Sequence, residues 1–356
     1  MPKALIAMSG GVDSSVAALL MKQSGFDCTG VNMRLFSNED IGDDGDKSCC
    51  SLDSIEDARS VCRRIGIPFH VFNFTDTFKE KVIDKFILSY ENGYTPNPCI
   101  DCNRYLKFSK LFQRMEELSC DFVVTGHYAR VGYDEKTGRY TLSKAVDSKK
   151  DQSYVLYNLT QEQLSHLKLP LGEYTKPEIR EIAEQNGFVT ASKSDSQDIC
   201  FVPDGDYGSF IERYTGKKYE KGDFTLSDGT FLGKHEGIIR YTLGQRKGLG
   251  VPYAHRLYVT GKDFENNRVI LGTEDDLYSS SLTASDVNWV SIEKPSAPIR
   301  AQVKVRYSQS QADALITPLD DNRVKVEFDT PQRAVTKGQA AVFYDGDLVL
   351  GGGMIE

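Results

Sequence analysis

Three consecutive patterns at the start of the chain limit the folds that it can adopt. A short apolar run, KALIAM, leads into SGGVDSS at residues 9–15, and an apolar stretch follows to about residue 23. The patterns predict a buried strand at residues 3–8 and a helix at residues 13–23. A glycine-rich turn from a strand into a helix directs backbone N–H groups toward an anion. The sequence therefore predicts an α/β domain with an anion-binding loop.

Strand and helix patterns continue to alternate after this loop. We predict further strands at residues 27–33, 69–74 and 121–126, and helices at residues 51–66, 75–93 and 103–118. Such alternation is typical of a doubly wound parallel sheet. Ligands of these sheets bind at the carboxyl ends of the strands, where SGGVDSS and TGHY (residues 125–128) both fall.

Beyond about residue 201 the helical periodicity fades and short alternating runs replace it. These runs include IIRYTL, LYVTG, RVILG, IRAQVKVRY, RVKVEF, AAVFYDG and LVLGG, with turn residues every 8 to 12 positions. This spacing is typical of small β-barrels, and a Ser- and Asp-rich stretch at residues 275–285 suggests two modules. We therefore expect a catalytic α/β domain at residues 1–203, a central β-rich domain at 204–279 and a C-terminal β-barrel domain at 280–356.

Charge and hydropathy restrict the class of protein. No apolar stretch approaches 18 residues and the N-terminus lacks a secretory signal, so we expect a monomeric cytoplasmic protein without membrane contact. The net charge is −8, but eight acids and one lysine lie at residues 37–57. The remainder is therefore close to neutral, and a nucleic-acid partner is not excluded. The acidic segment is either a solvated insertion or a surface for a basic sulfur-donor protein.

The loop SGGVDSS lacks the lysine of a Walker A motif. That lysine serves transfer of the γ-phosphate, so a loop without it suits pyrophosphate that is held and released as a unit. The reaction would then transfer AMP from ATP, with Mg²⁺ held between the phosphates by Asp13. The alternative is an ordinary glycine-rich turn between a strand and a helix.

Eight cysteines occur in the chain, at residues 28, 49, 50, 62, 99, 102, 120 and 200. The stretch TPNPCIDCNRYLKF at residues 95–108 places Cys99 and Cys102 just before a predicted helix. A helix N-terminus lowers the pKa of a thiol, and nearby Arg104 and Lys107 would strengthen that effect. A zinc site usually needs four ligands, and the chain has no second C-x-x-C pair. Cys200 is either a partner for these thiols or an inert core residue.

Eight motifs together resemble a known family. SGGVDSS resembles the PP-loop of the N-type ATP pyrophosphatases. Within that superfamily, an ordered set of motifs resembles the tRNA-specific 2-thiouridylase family along essentially the whole chain. The motifs are MSGGVDSS, GVNMRLF, TPNPCIDCNRYLKF, TGHYAR, KKDQSYVLY, SQDICFVPDGDY, YTLGQRKGLG and VRYSQ.

The resemblance implies a reaction and its catalytic residues. The C2 oxygen of the wobble uridine in tRNA for lysine, glutamate or glutamine would be adenylated. Cys200 would carry a persulfide received from a sulfur-donor protein. Cys102 would be the second catalytic thiol and would form a disulfide with Cys200 during turnover. The products would be 2-thiouridine, AMP and pyrophosphate.

The resemblance also implies binding residues for ATP and tRNA. ATP would bind to Ala7, Met8, Ser9, Gly10, Gly11, Val12, Asp13, Ser14, Met33 and Gly126. The target base would contact Asn97, Pro98 and Cys99. The tRNA contacts would be His127, Lys150, Asp151, Gln152, Arg306, Tyr307 and Gln339. In KVRYSQSQ, strand alternation predicts Lys304 and Arg306 on one face and Tyr307 on the other.

One residue departs from the family pattern and suggests one alternative to the mechanism given above. Two further alternatives to the enzymatic function do not depend on this residue. Many members have aspartate where this chain has Cys99. A first alternative is therefore an iron–sulfur cluster of the 4Fe–4S type on Cys99, Cys102 and Cys200, with Cys49 and Cys50 as further candidates. A second is another PP-loop synthetase that adenylates a small molecule. A third is a tRNA- or ATP-binding regulator without catalytic activity.

Overall fold

Three β-sheets organise the protein. The computed structural model describes residues 1–37, 52–193, 199–320 and 322–356. Within these ranges, no helix has the length and apolar character needed to cross a membrane. Cys49, Cys50 and most of the acidic segment lie outside the described residues.

The first sheet is parallel and contains the predicted strands. Its strands are β1 (Lys3–Ala7), β2 (Asp27–Arg34), β3 (Phe69–Asn73), β4 (Phe122–Val124) and β7 (Leu167–Lys168), in the order β3-β2-β1-β4-β7. All four pairings are parallel, which confirms the doubly wound α/β fold. The chain changes direction across the sheet between β1 and β4, which is where such sheets bind ligands.

Seven helical segments of this region and the next are relevant to the site. They are α1 (Val12–Gln23), α2 (Leu52–Ile65), α3 (Thr75–Phe78, Lys79–Ile83 and Asp84–Glu91 in succession), α4 (Pro98–Cys102, Asn103–Lys110 and Leu111–Glu117 in succession), α5 (Gln161–Ser165), α6 (Lys176–Gln185) and α7 (Tyr207–Thr215). The middle parts of α3 and α4 are π-helical. The apolar pattern of the sequence predicts that Val16, Ala17, Leu19 and Leu20 face inward; α1 buries the first three, and Leu20 is partly buried.

The fourth helix begins earlier than the sequence indicated. We expected Cys99 and Cys102 to precede a helix that starts at residue 103, but α4 starts at Pro98. Proline suits the first helical position because its missing N–H would have no partner there. Asn97 caps the helix, and its Oδ1 accepts a hydrogen bond of 3.1 Å from the N–H of Cys99.

The central module contains a sheet of four strands. These are β8 (Gly222–Thr225), β9 (Phe231–His235), β10 (Tyr258–Asp263) and β11 (Arg268–Gly272), in the order β10-β11-β8-β9. The prediction of a strand at IIRYTL was wrong, because Ile238–Arg240 is a 3₁₀ turn. Its consecutive residues Ile238 and Ile239 are both buried, whereas a half-buried strand would bury only one of them. Helix α7 was also missed, since we expected helical structure to fade there.

The C-terminal module is a closed barrel of six strands. These are β12 (Tyr278–Trp289), β13 (Ile299–Lys304), β14 (Ala312–Pro318), β15 (Val324–Arg333), β16 (Ala340–Asp345) and β17 (Leu348–Ile355). Pairing of β12 with both β15 and β17 closes the barrel. The break that we expected at residues 275–285 includes the start of the continuous strand β12.

A hairpin from the first half of the chain extends the barrel sheet. The hairpin consists of β5 (Ala129–Asp134) and β6 (Arg139–Lys144), and Ser143 pairs with Leu348 of β17. The sequence reading assigned no strand there. The barrel is therefore joined to the segment that follows the TGHY motif.

Candidate active site

The glycine-rich loop is held in shape by its own serines. Ser14 accepts a hydrogen bond of 3.1 Å from the N–H of Ser9 and donates one of 3.1 Å to the carbonyl of Gly11. Gly10 has a φ of +74°, and an added Cβ would collide with the backbone carbonyl of Ser54. An added Cβ on Gly126 would lie 2.9 Å from the nitrogen of Ser14. The two glycines thus let neighbouring backbone approach the loop on both sides.

A buried lysine binds the loop's aspartate. Lys176, the first residue of α6, places Nζ 2.8 Å from each carboxylate oxygen of Asp13, and its side chain is only 8% exposed. Tyr128 donates its hydroxyl to the same carboxylate at 2.7 Å. The sequence analysis missed Lys176. The capping box of Thr175 and Glu178 marks the start of the helix, but it does not reveal which loop the first residue contacts.

A second lysine contacts the same loop. Nζ of Lys193 donates to the carbonyl of Gly10 at 3.1 Å and to Oγ of Ser54 at 3.2 Å. It also pairs with the carboxylate of Asp57 at 2.9 Å. A loop without a lysine of its own therefore receives two ammonium groups from distant parts of the chain, each of them paired with a carboxylate.

The expected adenosine side lies at the end of β2. The backbone N–H of Met8 donates to Val31 at 2.7 Å, and Asn32 donates its amide to the carbonyl of Met8 at 2.8 Å. Oδ1 of Asn32 is buried and makes no hydrogen bond within the protein. Met33 is partly buried and packs against an apolar cluster. This region offers an unused acceptor next to apolar surface, a combination that suits a purine with an exocyclic amine.

The two candidate catalytic thiols belong to one extended apolar cluster although they are distant in sequence. Cys102 is buried in an apolar cluster, and Ile199 and Cys200 pack against that same cluster. Cys102 lies in the second turn of α4, whereas Cys99 lies in the first turn and is exposed. Because the helix dipole acts mainly within the first turn, the predicted helix-terminal activation applies to Cys99 better than to Cys102. None of the six cysteines in the described ranges forms a disulfide.

The thiols do not assemble a metal site. Across residues 1–37, 52–193, 199–320 and 322–356, no three His, Cys, Asp or Glu side chains lie in positions to hold a metal ion. Cys99, Cys102 and Cys200 therefore do not form a ligand set, and the iron–sulfur alternative is not supported. We derive no step through a cluster.

Several predicted tRNA contacts lie together near α4, the helix that contains Cys99 and Cys102. Tyr307 donates its hydroxyl to the backbone carbonyl of Asp151 at 3.0 Å. The carboxylate of Asp151 accepts from the hydroxyl of Ser153 at 2.8 Å, and Gln152 accepts from the N–H of Tyr128 at 2.9 Å. The side chains of Asp151 and Gln152 thus brace the loop that presents the neighbouring Lys150.

The barrel touches the loop that leads into Cys99. Gln339 donates its amide to the carbonyl of Thr95 at 2.7 Å, and the N–H of Thr95 donates to the carbonyl of Lys337 at 2.9 Å. Between them, Gly338 has a φ of +87°, and a Cβ there would lie 3.0 Å from Cβ of Tyr94. The barrel and the TPNPC loop are therefore in direct contact, and the predicted residue Gln339 belongs to that contact.

Two predicted tRNA contacts are largely occupied within the protein. Arg306 donates to the carbonyl of Leu243 at 3.2 Å and to the hydroxyl of Thr336 at 2.5 Å. His127 is buried beside Phe108, and its Nδ1 lies 2.7 Å from the hydroxyl of Thr125. Burial lowers the pKa of His127 well below its usual value, and the charge of Lys107 adds to this shift. The ring is therefore neutral near pH 7.

The predicted facing of the KVRYSQSQ stretch was wrong. Strand β13 ends at Lys304, and Arg306 and Tyr307 follow in a bend and a turn. Nζ of Lys304 lies 5.8 Å from the ring centre of Tyr307, so these two side chains share one side. In contrast, Arg246 and Lys247 are exposed in a loop of the central module, as a surface for nucleic acid requires.

Two cavities accompany these features. The larger, of about 700 Å³, lies in the central module and is lined by three acids and three bases, so it has no net charge to attract phosphate. The other, of about 420 Å³, lies where α3, the residues before Cys99 and the barrel meet. Neither is lined by SGGVDSS. The chemistry of the loops, rather than cavity size, therefore identifies the site.

Comparisons with known proteins cover the whole chain. Family models match residues 2–204 (tRNA methyl transferase HUP domain), 208–273 (tRNA methyl transferase PRC-barrel domain) and 279–355 (aminomethyltransferase beta-barrel domain). The chain is 50% identical over 354 residues to the tRNA-specific 2-thiouridylase MnmA of Clostridioides difficile, which covers 99% of this chain and 98% of that protein. It is 51% identical over 357 residues to the tRNA-specific 2-thiouridylase MnmA 1 of Thermoanaerobacter sp., again over 99% and 98%. A solved 4-thiouridine synthetase–RNA complex with bound ATP aligns with a TM-score of 0.34 at 20% identity, over 60% of this chain and 50% of that chain.

Proposed function

Because the chain belongs to the tRNA-specific 2-thiouridylase family, we propose that it catalyses the ATP-dependent 2-thiolation of the wobble uridine of tRNA. The observation that carries this proposal is the convergence of Cys102 and Cys200 on one apolar cluster. A synthetase that adenylates a small molecule would need neither thiol. A regulator without activity would need neither the thiols nor the lysines at the loop.

The first half of the reaction uses the glycine-rich loop. The C2 oxygen of uridine attacks the α-phosphate of ATP, the bond to the β-phosphate breaks, and pyrophosphate leaves. Backbone N–H groups of the loop and the N-terminus of α1 would hold the phosphates. Asp13 would hold Mg²⁺ between them, and Lys176 and Lys193 would balance the charge of the leaving pyrophosphate.

The second half uses the thiols. The terminal sulfur of a persulfide on Cys200 attacks C2 of the uridine, and AMP leaves with the former oxygen. The thiolate of Cys102 then attacks Sγ of Cys200, which releases the sulfur on the base and forms a Cys102–Cys200 disulfide. A thiol reductant returns both cysteines to the reduced state. The apolar surroundings exclude water, which would otherwise hydrolyse the adenylated base.

The partners follow from this reaction. We propose tRNA for lysine, glutamate and glutamine as substrates, a sulfur-donor protein as the source of the persulfide, and a cytoplasmic monomer as the working form. The target uridine would enter beside Asn97, Pro98 and Cys99. Residues 1–203 would carry the chemistry, and residues 204–279 and 280–356 would dock the tRNA through groups such as Arg246 and Lys247.

Nucleoside mass spectrometry tests the proposal. Purified protein is incubated without air with unmodified tRNA for lysine, ATP, Mg²⁺ and a persulfide source. We expect 2-thiouridine in the wild type and in Cys120→Ser, a control cysteine outside the cluster. Cys102→Ser and Cys200→Ser should release pyrophosphate but form no 2-thiouridine. If the wild type forms neither pyrophosphate nor 2-thiouridine, the protein is not this enzyme; if Cys102→Ser and Cys200→Ser retain thiolation, the proposed chemistry is wrong.

A further inference from the structure

Cys102 lies within a helix that is anchored on three sides. Immediately before it, Asp101 is buried, and its carboxylate accepts a hydrogen bond of 2.6 Å from Nζ of Lys85 in α3. Immediately after it, the buried Asn103 donates to the carbonyl of Val155 at 3.1 Å. These two anchors tie the helix to its own domain.

The third anchor crosses to the barrel. Arg104 pairs with Asp286 of β12 through two hydrogen bonds, one of them 3.3 Å long between Nη2 and Oδ1. A bidentate pair of this kind fixes the relative orientation of its partners as well as their distance. Arg104 is two residues beyond Cys102, so a shift of the barrel at Asp286 would act on the helix next to the thiol.

The barrel strand is distorted at the residue that makes this contact. Asp286 has a φ of +50°, a backbone conformation that residues other than glycine rarely adopt. The pairing of β12 with β17 shifts register between Ser285 and Asn288, which brackets Asp286. Bulges of this kind redirect side chains and are frequent beside active sites. The distortion thus aims the carboxylate of Asp286 away from the barrel and toward α4.

Helix α4 is also irregular where it makes this contact. Directly after Cys102, residues Asn103–Lys110 form a π-helical segment. π-helical turns are frequent at functional sites, and they place side chains where a regular helix would not. Arg104 lies in this segment, so both partners of the ion pair belong to locally distorted elements.

The ion pair also borders an open space. Lys85, Asp101, Arg104 and Asp286 all line the cavity of about 420 Å³ between α3, the residues before Cys99 and the barrel. The side chains of Arg104 and Asp286 remain 38% and 41% exposed. The seam between the barrel and the helix is therefore bridged by charge at this point, and the pair holds it together with the contact of Gln339 with Thr95.

We propose that Asp286 is a positioning residue: through its ion pair with Arg104, the barrel that docks tRNA holds the helix of Cys102 in register with the target base. This proposal rests on the proposed thiolation reaction. Asp286 does not touch substrate in this role. Its loss should uncouple the two halves of the reaction, because adenylation depends on the distant glycine-rich loop and sulfur release depends on Cys102.

The test uses Asp286→Asn, Arg104→Gln and the variant that combines these two substitutions. Asp329→Asn is the control. Asp329 pairs with Arg300 at 2.7 Å in the same barrel and supplies a matched control for the loss of a surface ion pair. Pyrophosphate release, 2-thiouridine formation and tRNA affinity are measured for each protein. We expect kcat for 2-thiouridine to fall at least tenfold in Asp286→Asn and Arg104→Gln, with Kd for tRNA within twofold of wild type. The ratio of pyrophosphate to 2-thiouridine should rise, and the double variant should be no worse than either single one.

Two further measurements separate positioning from a loss of folding. Asp286→Glu keeps the charge, so it should recover part of the thiolation rate, whereas Tm should change little in any of the variants. Thiolation that matches Asp329→Asn, or that falls only in proportion to Tm or tRNA affinity, would overturn the proposal. If the wild type itself forms no 2-thiouridine, the proposed function is wrong. If the wild type forms 2-thiouridine and Asp286→Asn forms it equally well, only the positioning role of Asp286 is wrong.

Discussion

Lys176 and Asp13 form a two-oxygen ion pair at the glycine-rich loop, with Nζ 2.8 Å from each carboxylate oxygen. The pair joins the start of α6 to the first turn of α1, two elements that lie far apart in the sequence. It brings to the loop an ammonium group, which the loop's own sequence lacks. The same lysine keeps the carboxylate oriented before any ligand binds.

We expect Lys176→Met and Asp13→Asn each to reduce pyrophosphate release about 100-fold or more, the effect typical of lost charge stabilisation in a preorganised site. The double variant should be little worse than either single one, because groups that act as a unit are not additive. Steady-state pyrophosphate release in the presence of tRNA is the measurement. Lys22→Met, which removes an exposed lysine of α1, is the control. Fully additive losses would show that the two residues act independently.

Stability should respond asymmetrically at the same pair. Asp13→Asn removes a carboxylate that contacts a lysine ammonium whose side chain is only 8% exposed, whereas Lys176→Met leaves a carboxylate that is 32% exposed and still bonded to Tyr128. Since the loss of a charge partner costs more for the more deeply buried group, we expect the free energy of unfolding to fall further in Asp13→Asn, by about 3 kcal/mol. Denaturant titrations of the two variants give the comparison. An equal or reversed order would contradict this account of the pair.

Gly10 and Gly25 provide a matched comparison of backbone strain and collision. Both have positive φ, +74° and +82°, but a Cβ on Gly10 meets the backbone of Ser54 while one on Gly25 meets nothing within 4 Å. We expect Gly25→Ala to cost about 1 kcal/mol of stability and to leave pyrophosphate release intact. Gly10→Ala should cost more and should abolish ATP binding, measured by calorimetry with ATP and Mg²⁺. Equal effects of the two substitutions would rule out the collision.

Lys262 is a buried cation at the joint between β10 and α3. Its Nζ makes no hydrogen bond within the protein and lies 5.9 Å from the ring of Tyr90 and 5.8 Å from that of Phe264. Burial lowers the pKa of Lys262 from 10.5 to about 8. The unfolded chain therefore binds this proton more tightly, and the folded state carries a penalty that is complete below pH 8 and disappears as the pH rises to 10.5.

Lys262→Met should remove this penalty. We expect it to raise the free energy of unfolding by about 3 kcal/mol at pH 7, because folding lowers the pKa of Lys262 from 10.5 to about 8. The difference from wild type should vanish near pH 10.5, and chemical denaturation across pH 7 to 10.5 would show it. Lys136→Met, in an exposed turn, is the control and should change stability little. A gain that does not depend on pH would assign the effect to apolar packing instead.

Arg306 joins the central module to the barrel, and we predict that it also contributes to tRNA binding. Because its guanidinium holds Leu243 and Thr336, Arg306→Ala should lower Tm as well as tRNA affinity. If it also contacts a phosphate, the slope of log Kd against log salt concentration should flatten by about 1. Lys150→Ala, at the edge of the braced loop, is the comparison. An unchanged slope together with a lower Tm would show that Arg306 joins the central module to the barrel but does not contact a phosphate of tRNA.

Local signals were sufficient to predict the parallel sheet, the glycine-rich loop and the two cysteines from the amino-acid sequence. Apolar periodicity defines β1 and α1, and a strand–glycine–helix pattern defines the loop between them. Short-range patterns failed where two neighbouring residues are both buried, as at Ile238 and Ile239, and where strands lack clear alternation, as in the hairpin of β5 and β6.

Contacts between side chains that are distant in sequence are visible only in the packed fold. No local pattern connects Lys176 with Asp13, Arg104 with Asp286 or Gln339 with Thr95, because each pair joins elements that the fold brings together from separate parts of the chain. The same holds for the apolar cluster that Cys102 and Cys200 share, since it is built from several packed elements at once. Sequence motifs indicate which reactive side chains the protein has. Packing determines which of these charges and thiols interact with one another.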